Sequence, residues 1–175
     1  MMKRVSVLAA SALLAFVAAG CGSSSSTAPT APTKPTFTAA LRPSNETTAV
    51  TNAEAAGTGD ATITFDVTKD AAGNILTSTA TFVVNMSGFP AGTGITGAHI
   101  HPGAAGVAGS VIISTALASG EIVLTNGSGT FTKVISGVDT AVTQSIINNP
   151  AGFYFNIHTA TNSGGVARGQ LVVKQ

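Results

Sequence analysis

The sequence has no tryptophan, one tyrosine and one cysteine, and only 9% of its 175 residues are charged. A single cysteine excludes a disulfide within the chain, even in an oxidising compartment. Scarce charge excludes more. Eight basic residues are set against seven acidic ones, with no basic stripe, so no field is available to steer a nucleic acid. The acidic residues are scattered, which leaves no paired-carboxylate arrangement of the glycosidase kind. Gly103, Gly106 and Gly109 have suggestive spacing, but a strand-like stretch follows them rather than a helix. They therefore lack the helix N-terminus on which phosphate-cradling loops depend and read as a loop.

What is present begins with an export signal. Met1-Met2-Lys3-Arg4 forms a basic start, and Val5 to Ala19 is apolar apart from Ser6 and Ser11. This run is shorter than the about 20 residues a membrane-spanning helix needs, and its flanks are those of a signal peptide. The segment Val17-Ala18-Ala19-Gly20-Cys21 resembles the lipobox of bacterial lipoproteins, with Ala18 where leucine is preferred. That resemblance implies a signal peptide over residues 1–20, a lipid on Cys21, and the membrane as a partner through that anchor. Gly22, in place of aspartate, is similar to the outer-membrane sorting signal of Gram-negative bacteria. The expected localisation is the bacterial cell envelope, lipid-anchored, on the outer membrane in a Gram-negative cell. Loss of Lys3 and Arg4 would leave six basic against seven acidic residues. With Cys21 lipidated and no Gly-x-Ser-x-Gly elbow present, covalent catalysis has no evident nucleophile.

Residues 21–35 carry the lipidated cysteine and a linker rich in serine, threonine, alanine and proline, without apolar periodicity. Extended at about 3.1 Å per residue, it would hold a domain roughly 45 Å from the membrane. Residues 36–175 are the right length for one domain with its own core. Apolar and polar residues alternate there: Phe37, Ala39 and Leu41; Ile63, Phe65 and Val67; Ala80, Phe82, Val84 and Met86; Val111 and Ile113; Ile122 and Leu124; Phe153, Phe155 and Ile157; Leu171 and Val173. Period two marks half-buried strands. Asp70 to Asn74 and Asn126 to Gly129 read as hairpin turns. Val138, Val142, Ile146 and Ile147 fall instead at helical spacing, with Asp139 as N-cap. The expected fold is all-β, a Greek-key β-sandwich or barrel of eight or nine strands with one short helix near residues 139–148.

All three histidines lie in two short strings, Ala98-His99-Ile100-His101 and Tyr154-Phe155-Asn156-Ile157-His158. On a strand, His99 and His101 share one face, and Tyr154, Asn156 and His158 share the polar face of the other string. If the two strands are neighbours, three imidazoles converge. A three-histidine set suits copper or zinc and leaves a coordination position open. The alternative is that these are surface histidines bonded to backbone or water.

These strings resemble the CHRD domain family, the module repeated in chordin and present in many bacterial secreted proteins. The likeness spans Phe37 to Val173. It includes Leu41-Arg42-Pro43-Ser44-Asn45-Glu46, then Ala98-His99-Ile100-His101-Pro102-Gly103, whose last two residues are reversed. It closes with Asn156-Ile157-His158-Thr159 and Gly165-Val166-Ala167-Arg168-Gly169-Gln170-Leu171. The family implies a β-domain more than an activity. A looser resemblance is to copper–zinc superoxide dismutase, in which His99, His101, His158 and Arg168 would fall in order, Arg168 drawing the anion to copper. A fourth histidine, the zinc loop and the disulfide cysteines are missing. For Arg168 and Glu46 the readings are an ion pair tying the first strand to the last, which is favoured, a solvated Arg168, or anion guidance by Arg168. Asn45 and Glu46 would also shape a turn.

Two functions follow as expectations. One is an envelope module that binds a protein or polymer ligand, with a structural or sensing metal; the other is a mononuclear copper protein acting on a small oxidant. In a third reading the histidines only buttress the fold. The anchor is directly testable: Cys21→Ser should abolish labelling of the protein by a radiolabelled fatty acid in growing cells and move it out of the membrane pellet.

Overall fold

The computed structural model describes residues 34–118 and 120–175; the expected signal peptide, Cys21 and nearly all of the expected linker lie outside them. Alternation builds the strands as the sequence predicts. In β1 (Thr36–Leu41), Phe37, Ala39 and Leu41 are buried while their neighbours turn outward. Ala61, Ile63 and Phe65 do the same in β2 (Thr58–Lys69), and Ala80, Phe82, Val84 and Met86 in β3 (Ile75–Ser87). The β2–β3 hairpin turns on Asp70, whose carboxylate accepts from the amides of Ala72 and Asn74 at 2.9 and 2.8 Å.

The remaining strands are β4 (Thr93–Pro102), β5 (Ile113–Ser114), β6 (Ile122–Leu124), β7 (Gly129–Ser136), β8 (Phe153–Thr159), β9 (Ala167–Gln170) and β10 (Val172–Val173). All pairings are antiparallel. One sheet runs β10-β1-β2-β3-β7, and the other β5-β4-β8-β9 with β6 also on β4. The two sheets share one core, so the fold is an all-β sandwich. Phe82 of one sheet stacks on Phe155 of the other, with ring centroids 5.7 Å apart. Helix α1 (Thr140–Asn148) starts where expected, Asp139 accepting from the amides of Ala141 and Val142, and it buries Ile146.

Three expectations change. Ten strands are present among the described residues, two of them only two residues long. Val111 stays outside β5, which is confined to Ile113–Ser114. Asn126 to Gly129 is a turn but not a hairpin: β6 pairs with β4 and β7 with β3, so the chain crosses there from one sheet to the other. Turn chemistry reverses a chain without specifying the sheet its strands join. Lys133 of edge strand β7 is only partly exposed and makes two contacts, of 2.6 and 2.8 Å, with Glu121 just before β6. This ion pair links the two sheets and places a charge on an otherwise open edge.

A seam closes the opposite side. Arg42, just beyond β1, forms an antiparallel bridge with Arg168 of β9, the amide of each donating to the carbonyl of the other at 3.1 and 3.3 Å. The backbones approach so closely that a Cβ on Gly169 would lie 2.3 Å from the Ala40 carbonyl oxygen. Truncating the inter-sheet stack should be costly: Phe82→Ala is expected to remove about 3–5 kcal/mol, read as a lower urea midpoint with unchanged slope.

Candidate metal centre

Strand pairing decides whether the histidines meet. In the β4–β8 ladder His101 lies opposite Tyr154, His99 opposite Asn156 and Gly97 opposite His158, with a register shift between Ile95 and Gly97. Bulges of this kind re-aim side chains beside sites. Ala98, Ile100, Phe155 and Ile157 point into the core, so the three imidazoles stand together on the opposite face. Ring centroids are 5.0 Å apart for His99–His158, 5.7 Å for His99–His101 and 6.2 Å for His101–His158. One ring nitrogen of each lies within 4.8 Å of the others. Gly97 makes the room: a Cβ there would sit 2.9 Å from Cε1 of His99.

Backbone carbonyls orient two of the rings. Nδ1 of His101 faces the Gly109 carbonyl at 3.0 Å, and Nδ1 of His158 faces the Ser163 carbonyl at 2.9 Å. A carbonyl only accepts, so each Nδ1 carries the proton and each Nε2 keeps its lone pair. Those two Nε2 atoms, together with Nδ1 of His99, are buried without a hydrogen-bond partner. Metal-ligating histidines typically bond an oxygen through the other ring nitrogen in this way. Zinc–nitrogen bonds of about 2.0–2.1 Å place tetrahedral ligands roughly 3.4 Å apart, so modest ring movements would close the trio on an ion. Burial, reinforced by the neighbouring imidazoles, pushes His99 down to about 4. Burial also lowers His101 and His158, partly opposed by their carbonyl bonds. All three are therefore neutral, the form that binds metal, at pH 7.

Arg168 departs from the solvated reading. It is 2% exposed; its Nε donates to the Asn45 carbonyl at 2.6 Å and its Nη1 to the Val107 carbonyl at 3.0 Å. Its guanidinium carbon lies 4.4 Å from the centre of the Tyr154 ring, which in turn stacks on His101 with centroids 4.9 Å apart and planes 5° from parallel. The favoured ion pair with Glu46 is not formed: among the described residues the salt bridges are Lys34–Asp66 and Lys133–Glu121. The turn after β1 is tied to β9 instead through Asn45, whose side-chain amide donates to the Arg168 carbonyl at 2.9 Å. Glu46 still feels the cation. Burial raises its carboxyl to about 7, with Arg168 pulling the other way. Arg168 lies opposite Asn156, which lies opposite His99, so two strand spacings, roughly 10 Å, separate the backbones of Arg168 and His99.

A family model for the CHRD domain matches residues 37–171. The chain belongs to the CHRD domain family. Searches among curated proteins and among solved structures found no match. The structure gives the closing CHRD signature a physical reading. Gly165, at φ +134°, lies where a Cβ would meet Asn156 and Glu46 at 2.7–2.9 Å. Arg168 is the buried clamp, Gly169 permits the seam, and the Gln170 side chain faces the carbonyls of Gly103, Ala151 and Phe153 at 2.9–3.1 Å. Gly97, Gly109 and Ser163 were not legible as site residues, because two act through backbone carbonyls and one through a missing side chain.

The pKa shifts set opposing pH trends. The folded state holds fewer protons on the histidines, so their contribution to stability is lost as pH falls from about 6.5 through their lowered folded values. It holds more on Glu46, whose contribution is lost as pH rises from about 4.5 through about 7. In the full chain, the His99 ring proton followed by NMR should titrate near 4, and His99→Gln should flatten the acid limb of a urea-midpoint profile.

Proposed function

We propose that this CHRD domain is a metal-binding module of the bacterial cell envelope, held to the membrane by lipid on Cys21. The observation that carries the metal reading is the set of three buried, unpartnered imidazole nitrogens on one sheet face, two of them oriented by backbone carbonyls. His99, His101 and His158 would hold copper or zinc, with a fourth position open to an exogenous ligand. His99 and His158 are only partly buried, so solvent reaches the rim. The role favoured is binding and recognition of a protein or polymer partner.

Redox turnover of superoxide is less well supported. Arg168 spends two of its donor nitrogens on carbonyls and is separated from His99 by Asn156. The chain also has no fourth histidine for a bridging ligand.

Metal titration of the detergent-solubilised full-length protein tests this reading. One equivalent of zinc or copper should bind, and at a hundredfold excess over Kd it should stabilise the fold by about 2.7 kcal/mol. His101→Ala and His158→Ala should each abolish both the binding and the thermal shift. A shift that survives in both variants, or none in the parent protein, would reject the site and leave the histidines as supports of the fold.

A further inference from the structure

Glu54 has no place in the site described above, yet it is 7% exposed and takes part in neither of the ion pairs found among the described residues. It sits in a single 3-10 turn, Ala53–Ala56, capped by Asn52, whose side-chain oxygen accepts from the Glu54 amide at 2.9 Å. Its Oε2 accepts from the Thr159 hydroxyl at 2.6 Å and from the Asn162 side-chain amide at 2.5 Å. These two partners stand at either end of the first turn after β8. The Asn162 amide donates to the Thr159 hydroxyl at 3.0 Å, and the Asn162 carbonyl accepts from Gly165 at 3.1 Å. The Asn162 and Asn52 side chains also bond one another at 3.1–3.3 Å. The next residue, Ser163, supplies the carbonyl that holds Nδ1 of His158.

Hydrogen bonds from Glu54 to Asn162, the peptide link to Ser163 and the Ser163 carbonyl's bond to Nδ1 therefore connect a carboxylate more than 100 residues earlier in the sequence to the imidazole of His158. The turn bearing Ser163 is short and polar, and a backbone carbonyl in such a turn is only as well placed as its anchors. Glu54 fixes the turn on both sides of its bend with charge-assisted bonds, the stronger kind. We infer that Glu54 is a positioning residue for His158, acting through Thr159 and Asn162 on the Ser163 carbonyl and so setting which ring nitrogen is free. The consequence for metal affinity rests on the metal-centre reading; the effect on the ring does not.

The experiment is a long-range proton–nitrogen NMR correlation on the full-length protein at neutral pH, which reports the tautomer of each imidazole, followed by zinc titration. In the parent protein His158 is expected as the Nδ1–H form. Glu54→Ala should convert it to a mixture of tautomers, leave His101 unchanged, and weaken zinc binding about tenfold, the lower end of the range for outer-shell partners of metal ligands. Thr159→Val, which removes only the shared hydroxyl, is read in the same way and covers the case in which Glu54→Ala does not fold. Glu54→Gln retains an acceptor oxygen and should restore most of the Nδ1–H form. An unchanged His158 tautomer in Glu54→Ala or Thr159→Val, or a change that also reaches His101, would overturn the inference. Absent zinc binding with an altered His158 tautomer would instead reject the metal centre and uphold the role of Glu54.

Discussion

Burial of the Arg168 guanidinium is the constraint around which the face bearing the histidines is organised. A cation removed from water is costly unless oxygen atoms replace its hydration. Here the oxygens come from Asn45, in the turn after β1, and from Val107, in the loop between β4 and β5. Bonding its Nε and Nη1 thus brings two distant segments over the outer face of the second sheet, while Nη2 stays buried without a partner. Tyr154 lies beneath the cation, and its hydroxyl accepts from the Gly109 amide at 3.2 Å. Gly109 then presents its carbonyl to His101. The loop that covers the charge also orients a candidate ligand.

The histidine cluster therefore belongs to two structural layers. Strands β4 and β8 supply the side chains, and their pairing sets the spacing. Loops supply the acceptors that choose the ring nitrogen. A scaffold of paired strands with selective groups carried by loops is common in β-domains. Low charge suits this arrangement: burial is the main cause that lowers all three imidazoles and keeps them neutral.

Much of this was legible in the sequence, for identifiable reasons. Alternation exposes a half-buried strand, so the core positions of β1, β2, β3 and β8 could be read directly. The His-x-His string fixed a shared face for His99 and His101, because strand geometry has period two. Whether His158 joined them depended on β8 pairing with β4, a contact across more than 50 residues that no local pattern encodes. For Arg168 the sequence supports a solvated, a Glu46-paired or an anion-guiding role, because a charged residue on a strand is usually exposed. Carbonyl acceptors carry no side-chain identity and leave no mark in a sequence. Glu54 sits in an alanine-rich turn, where nothing distinguishes it from a solvated acid.

The single tyrosine has a further consequence. With no tryptophan in the chain, Tyr154 is the only strong ultraviolet emitter, and it lies flat against His101. Its hydroxyl is also tied to the loop that orients that histidine. The intrinsic fluorescence of the whole protein thus originates at one spot, touching both a candidate ligand and the segment that aims it. The domain carries its own optical gauge, and the emission of one phenol follows the state of that face without any label.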